Sequence, residues 1–345
     1  MRIVIASLHF NAGHTAHLQA YAELAKACGF EAALYLNKKY LDLFDNINWK
    51  ILLTKDELRS FAPNIIWIYN IGTENIKLIR TAKTLGSKIV YVLHEPYMGI
   101  SELLKEKDRI LKSTIASMVN AYICSQSDRI ILSSERAKEN CMTYMKGAYS
   151  KSMMFPLIFP DQYVEEPKRK YFSMIGAYCE AHNSNEFLQF VKSSFERNDI
   201  FFQVATRSEI STKLADPVLK EMIAEGRLFV QQGRPLTEKE MNEAYRKSVC
   251  TWNVYKRSTQ SGVLAHSFMQ GTPVIAAHLG SFDEYITDGK NGTFVDDSKY
   301  DSIYSAYKRI EANEKDMTSN CRQFFLDNFY CSNQKAKFIE IINSL

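Results

Sequence analysis

The chain has 345 residues, 46% of them hydrophobic and 24% charged. That length exceeds what one core usually fills, and the composition is that of a globular protein, which argues for two domains and against disorder or a membrane-embedded class. Lys and Arg number 43 against 39 Asp and Glu, a formal net charge of +4, too slight and dispersed for a nucleic-acid partner, so any anion must be bound locally.

Seven cysteines, none at C-x-x-C spacing, read as reduced thiols and argue against a disulfide frame or a zinc site. Met1-Arg2-Ile3-Val4-Ile5-Ala6-Ser7 runs into a polar loop too soon for a signal peptide, and no stretch reaches the ~20 apolar residues of a spanning helix. The expectation is a cytoplasmic protein whose membrane association, where there is any, is peripheral.

Short apolar runs then alternate with helical ones. Residues 3–7 read as a strand, 17–28 as an amphipathic helix, 32–36 and 65–69 as strands, 76–85 as a helix and 88–93 as a strand. This is the β-α-β rhythm of a parallel sheet covered by helices. Gly29 and Gly86 lie just past helical runs, where a left-handed C-cap residue is favoured. A strand at 129–133, a helix at 135–145 and a run at 153–159 complete the first half, and the charged, proline-bracketed stretch 161–169 reads as a linker.

The rhythm restarts with strands at 171–175, 201–205, 228–231, 249–254 and 273–276, separated by helices at 185–197, 217–225, 238–247 and 263–270. The pattern predicts an α/β chain of two Rossmann-like domains with parallel sheets, over residues 1–160 and 168–330. A last helix, 332–345, is expected to pack back on the first domain. Ligands of open α/β sheets bind at the carboxyl ends of the strands, so the two domains are expected to turn their loops toward a central cleft.

Residues 249–296 are the most informative. The strand ending Trp252-Asn253-Val254 is followed by Tyr255-Lys256-Arg257, the small polar loop Ser258-Thr259-Gln260-Ser261-Gly262, and the apolar helix opening Val263-Leu264-Ala265-His266. Strand, small-residue loop and helix N-terminus together bring backbone N–H groups and the positive end of the helix dipole to one place, an anion site suited to a diphosphate. An exposed dipole contact is worth only ~0.3–1 kcal/mol, so Lys256, Arg257 and Arg207 are the cations expected to assist. The plainer alternative is that the loop only caps the helix.

Gly271-Thr272-Pro273-Val274-Ile275, Gly280-Ser281-Phe282-Asp283-Glu284 and Asp288-Gly289-Lys290-Asn291-Gly292 follow in order. The three linked blocks resemble the donor-domain signature of the retaining family-four glycosyltransferases of the GT-B superfamily, "G-x-P-V-I, G-G-x-x-E, D-G-x-x-G". Val254-Tyr255-Lys256-Arg257-Ser258-Thr259-Gln260-Ser261-Gly262-Val263 is similar to "P-Y-x-x-x-T-Q-S-G-V" of a bacterial polysaccharide branch. Gly13-His14 resembles the acceptor-side glycine loop, 127–135 resembles "A-D-x-V-I-x-x-S-E", and 172–176 resembles the strand opening the donor domain.

The resemblance implies a hexosyltransferase that moves a sugar from a UDP- or GDP-linked donor to a hydroxyl of a glycan or lipid-linked acceptor, with retention. It further implies a role in envelope polysaccharide or glycoconjugate assembly at the inner membrane face. The chain departs from the pattern where the family carries two glutamates, at Ser258 and His266, and where it carries Arg and Lys beside the diphosphate, at Ala177 and His182. The missing carboxylates leave open a non-catalytic glycosyltransferase-like partner protein. A sugar-nucleotide epimerase on the same fold is a third alternative.

The candidate donor-binding residues are therefore Arg207, Lys256, Arg257, Thr259, Gln260, Ser261, Gly262, Val263, His266 and Glu284. Glu284 has a simple alternative as a charge offsetting a helix dipole. His94 and Glu95, after the strand at 88–93, are the catalytic candidates, against a loop pair fixed by Pro96. Gly13, His14 and Asn70 are the acceptor-side candidates, with turn chemistry as the alternative for Asn70. His17 reads as a solvated histidine at a helix start. No carboxylate cluster or D-x-D motif suggests a metal, so a metal-independent mechanism without a cofactor is expected.

Overall fold

The structure is a computed structural model that describes residues 1–44, 49–94, 96, 110–165, 168–256, 262–296 and 299–345. The chain divides into two compact units, Met1–Pro160 with Phe329–Leu345, and Asp161–Asn328.

The first unit runs β1 (Arg2–Ser7), α1 (Thr15–Ala27), β2 (Glu31–Leu36), β3 (Lys50–Leu52), α2 (Lys55–Phe61), β4 (Ile65–Ile68) and α3 (Glu74–Leu85). It continues through β5 (Lys88–Val92), α4 (Ile110–Gln126), β6 (Arg129–Leu132), α5 (Glu135–Tyr144), α6 (Lys146–Tyr149) and β7 (Ser152–Met154). Among the described residues its seven strands form one sheet in the order β3-β2-β1-β4-β5-β6-β7, each pair parallel.

Such strands are covered on both faces and are apolar throughout; every residue of β4 is buried. Val4, Ile66, Ile68 and Tyr91 pack on one face with Leu58, Leu78, Ile79 and Ile123 of the helices. Ile3, Ile5, Trp67 and Val90 pack on the other with Leu18, Tyr21 and Leu24. Thr54 and Glu57 form a reciprocal capping box that starts α2, and Gly86 closes α3 at φ 68°, a conformation cheap only for glycine.

The second unit runs β8 (Tyr171–Ile175), α7 (Ser184–Ser193), β9 (Phe201–Ala205), α8 (Pro217–Ala224), β10 (Leu228–Gln231), α9 (Glu238–Arg246) and β11 (Ser248–Asn253). Then come α10 (Gly262–Met269), β12 (Val274–Ala276), α11 (Ser281–Tyr285), β13 (Gly292–Phe294), α12 (Tyr300–Ala312) and α13 (Glu314–Asn328). Its described strands form a parallel sheet in the order β10-β9-β8-β11-β12-β13.

Asp161 and Arg169, the two ends of the stretch read as a linker, are tied to this second unit. Asp161 pairs with Arg322 at 2.8 Å, and buried Arg169 donates to Ser248 O at 3.0 Å and to Thr272 Oγ1 at 2.6 Å. The last helix, α14 (Lys335–Asn343), belongs to the first unit. Its Phe338 and Ile341 are buried beside Trp67 and Phe155.

In both sheets the strand order reverses once, between β1 and β4 and between β8 and β11. At such a switch point the connecting helices leave on opposite faces and open a crevice at the carboxyl ends of the two strands. Each unit thus has one position where its topology favours a ligand.

Candidate functional site

In the first unit, the crevice is lined by the loop after β1 and by the residues that follow β4 and β5. Tyr40 braces the loop: its hydroxyl accepts from Asn11 N at 3.0 Å and donates to His9 O at 3.2 Å. A phenol has one proton, so Ser7 Oγ, 2.8 Å away, is the donor in their contact. Asn70 Nδ2 donates to His9 O from the other side, and Asn75 Nδ2 donates to Asn70 O at 2.7 Å.

Four aromatic rings meet here. His14 lies edge-on to Tyr69 at 5.1 Å and stacks with His94 at 5.8 Å. His94 meets Tyr69 at 4.7 Å, and His17 stacks on Tyr69 at 5.5 Å. His94 Nε2 lies 2.7 Å from Tyr69 O; a carbonyl only accepts, so Nε2 carries a proton. Burial holds the His14 imidazole well below its ordinary pKa, and the neighbouring His94, His17 and His9 push the same way.

His17 corrects the sequence-based expectation of a solvated histidine. It is 4% exposed, its Nδ1 donates to Ile158 O at 2.9 Å, and its ring packs on Phe159 at 4.3 Å. The register of α1 turns it inward, so it serves packing.

In the second unit the crevice lies between the ends of β8 and β11. Gly176 follows β8 at φ 115°, and a Cβ there would sit 3.6 Å from Val263 Cγ2. The first turn of α10 therefore rests directly against the chain leaving β8. Gly262 opens that helix, and the first N–H groups of any helix have no intrahelical acceptor.

His182 Nδ1 donates to Ala177 O at 2.9 Å, and its ring stacks on Tyr255 at 4.2 Å and 10°. Burial lowers its pKa, opposed by that bond and assisted by the charge of Arg207. Lys256 N donates to Ala181 O at 3.0 Å. The Lys256 side chain is 53% exposed, with Nζ 3.8 Å from Glu180. Arg207, at the end of β9, is exposed. The Lys256 backbone is thus tied to the loop that carries His182, and Arg207 is near enough for its charge to act on that imidazole.

His266 lies on α10 in the interior. Its ring stacks parallel to Tyr245 at 5.7 Å, its Nδ1 donates to Gly262 O at 3.2 Å, and burial pushes its pKa down to about 4. Glu284 is exposed on the five-residue α11. Glu95, Arg257, Thr259, Gln260 and Ser261 lie outside the described residues. Gly13 is exposed in the first-unit loop, where its N–H donates to Asn11 Oδ1 at 3.1 Å.

Asn11, Tyr40 and Tyr69 escaped the sequence reading. Only Asn11 carried a signal, as an Asn two residues before Gly13 favours an Asx turn. Among the described residues no group of three or more His, Cys, Asp or Glu side chains gathers as a metal cage.

No protein-family model matches the sequence, and neither does any curated protein. Solved structures do match over the full chain. HepE of Anabaena in complex with UDP-glucose has a TM-score of 0.74 at 12% identity, with 100% of each chain covered. Sucrose-phosphate synthase of Thermosynechococcus elongatus has 0.71 at 11% identity, covering 100% of this chain and 99% of that one. The pneumococcal O-GlcNAc transferase GtfA in complex with UDP and GlcNAc has 0.67 at 12% identity, again covering 100% and 99%. The likeness runs through both units and establishes the fold as GT-B, two Rossmann-like domains with parallel sheets.

Proposed function

We propose that the protein is a glycosyltransferase that moves a sugar from a UDP-linked donor to a hydroxyl acceptor, with the second unit holding the donor and the first the acceptor. The observation that carries the reading is the seating of α10 against Gly176 at the β8/β11 switch point. A helix start at such a switch point would offer a diphosphate both backbone N–H donors and the dipole. Full-length structural neighbours that hold UDP, UDP-glucose, or UDP with GlcNAc support the choice of nucleotide.

In this reading charge grows on the departing diphosphate as the glycosidic bond breaks, and the rate comes from stabilising that charge and positioning the acceptor. Lys256, Arg207 and Arg257 supply countercharge in place of a divalent metal, so EDTA is expected to leave turnover intact. His94 and Glu95 are proposed beside the reacting hydroxyl. Retention of configuration rests on the family resemblance of the three donor-domain blocks, and proton NMR of the product's anomeric signal tests it.

Calorimetric titration with UDP and UDP-glucose, followed by assay of UDP release with glycan and lipid-linked acceptors, tests the whole. Absence of UDP binding would sink it. Envelope glycoconjugate assembly is the proposed setting, with contact at the inner membrane face through α4. That helix shows Ile115 and Met118 to solvent, 50% and 68% exposed, beside the exposed Lys77, Arg80 and Lys83 of α3. Co-sedimentation with anionic phospholipid vesicles is expected, and Met118→Glu should reduce it.

One observation favours a second reading. The position where the family carries its second glutamate is His266, buried and neutral against Tyr245. A non-catalytic partner protein would bind nucleotide with no turnover on any acceptor, the outcome the same assay detects.

A further inference from the structure

His14 differs from four other histidines, His17, His94, His182 and His266, in the kind of group that engages it. His17, His182 and His266 each place Nδ1 against a backbone carbonyl, and His94 does so with Nε2. His14 instead meets a side-chain amide, Asn11 Nδ2, 3.1 Å from its Nε2.

The orientation of that amide is set from elsewhere. Asn11 Oδ1 accepts from Gly13 N at 3.1 Å, so the oxygen must face Gly13 and the NH2 must face the imidazole. An amide NH2 only donates, hence Nε2 of His14 must accept, and in the neutral ring the proton sits on Nδ1. The backbone of Asn11 is in turn clamped by the Tyr40 hydroxyl. His14 Nδ1 is buried and, among the described residues, without a hydrogen-bond partner.

A buried N–H left unpaired costs about 1–3 kcal/mol, so such groups are kept where something fills them. The rings of Tyr69 and His94 flank this one, and neither ring face offers a lone pair in the plane of the imidazole.

We propose that Asn11, braced by Tyr40, is a positioning residue that locks His14 as the Nδ1–H tautomer, and that this N–H donates to an oxygen of the bound sugar nucleotide. The inference rests on the glycosyltransferase reading for the identity of the ligand and on hydrogen-bond geometry alone for the tautomer. His14 then acts as a directional donor and takes no proton at Nδ1. The oxygen it meets belongs either to a hydroxyl of the transferred sugar or to the diphosphate, both lone-pair acceptors.

Two measurements test it. Protein labelled with 15N in the imidazole rings, with His14 assigned from the signal missing in His14→Asn, should show Nδ1 protonated and Nε2 bare. In Asn11→Asp, whose carboxylate only accepts, the proton must move to Nε2. A wild-type His14 protonated at Nε2 overturns the positioning role.

Calorimetry with UDP-glucose and with UDP tests the ligand. Asparagine carries its N–H where Nδ1 was and glutamine carries it where Nε2 was. His14→Asn should therefore keep most of the affinity for UDP-glucose that His14→Gln loses, about tenfold for one hydrogen bond. If only UDP-glucose weakens, the oxygen is on the sugar; if UDP weakens equally, it is on the diphosphate, and both results support the proposal. Equal affinities in the two variants overturn it. A wild-type chain that binds neither compound overturns the donor reading together with the ligand half, while the tautomer spectrum judges Asn11 independently.

Discussion

The two switch-point crevices share one topology and differ in what fills them. The first is built from side chains: Asn11, His14, Tyr69, Asn70 and His94, drawn from three separate strand ends. The second is built from backbone: a glycine at φ 115°, a helix opening on Gly262, and a flanking Lys256 amide tied to Ala181 O. A side-chain crevice can select by tautomer and ring geometry. A backbone crevice recognises charge and shape, and tolerates variation in its side chains as long as its chain path holds. That contrast fits a second crevice whose form does not depend on the side chains at Ala177, His182 and His266, where the sequence departs from the signature it resembles.

Acidification has the largest expected effect, and it acts on both units. His266 has its pKa pushed down to about 4 by burial, below the unfolded value near 6.5. As pH falls from 6.5 the unfolded chain gains a proton first. The stabilisation is therefore complete above that pH and is lost on the way to 4, up to about 3 kcal/mol. His14 and His182 shift the same way and steepen the fall. Urea midpoints between pH 7 and 4.5 should show the loss, and His266→Phe, which keeps the stack on Tyr245, should remove most of it. A midpoint in that variant as pH-sensitive as in wild type would place the effect elsewhere.

Next in size is Gly176→Val. A β-branched residue at this φ is strained, and its side chain meets Val263 at the start of α10. Displacing that helix start should weaken UDP binding by about 2 kcal/mol, roughly thirtyfold, while the first unit keeps its structure. Lys256→Ala with Arg257→Ala acts by charge alone and should weaken UDP by about 1–1.5 kcal/mol, near tenfold, with the loss shrinking at high salt. Unchanged affinity in the double variant would remove both residues from the site.

How much of this was legible in the sequence depended on local pattern. β4 was visible because Ile65 to Ile68 are all apolar and all buried, and Gly86 because only a left-handed cap explains it. α4 was not recognised. Its solvent face carries Ile115 and Met118, which erases the polar stripe that marks an amphipathic helix. β3, three residues long, is too short to show a period. The β11-α10-β12 succession was readable because it is contiguous in sequence. In the first-unit crevice His14, Asn70 and His94 are legible one by one, but their meeting around Tyr69 is not, since they stand apart in sequence and only the β1-β4-β5 order joins them. His17 was misjudged for the same reason: its partners Ile158 and Phe159 lie at the far end of the domain sequence.

The smallest expected effect is the one that isolates the crevices from each other. Asn70→Ala removes the bond from Nδ2 to His9 O and leaves that carbonyl to the Tyr40 hydroxyl. A single neutral hydrogen bond lost from a half-buried loop costs about 1 kcal/mol of stability. Because the His9–His14 loop then loses one of its two anchors, turnover should fall severalfold through looser acceptor positioning. UDP affinity, proposed to rest mainly on Gly176, α10 and Lys256, should fall by less than in Lys256→Ala. If Asn70→Ala weakens UDP as much as Lys256→Ala does, the proposed assignment of the nucleotide's main hold to the backbone crevice is wrong.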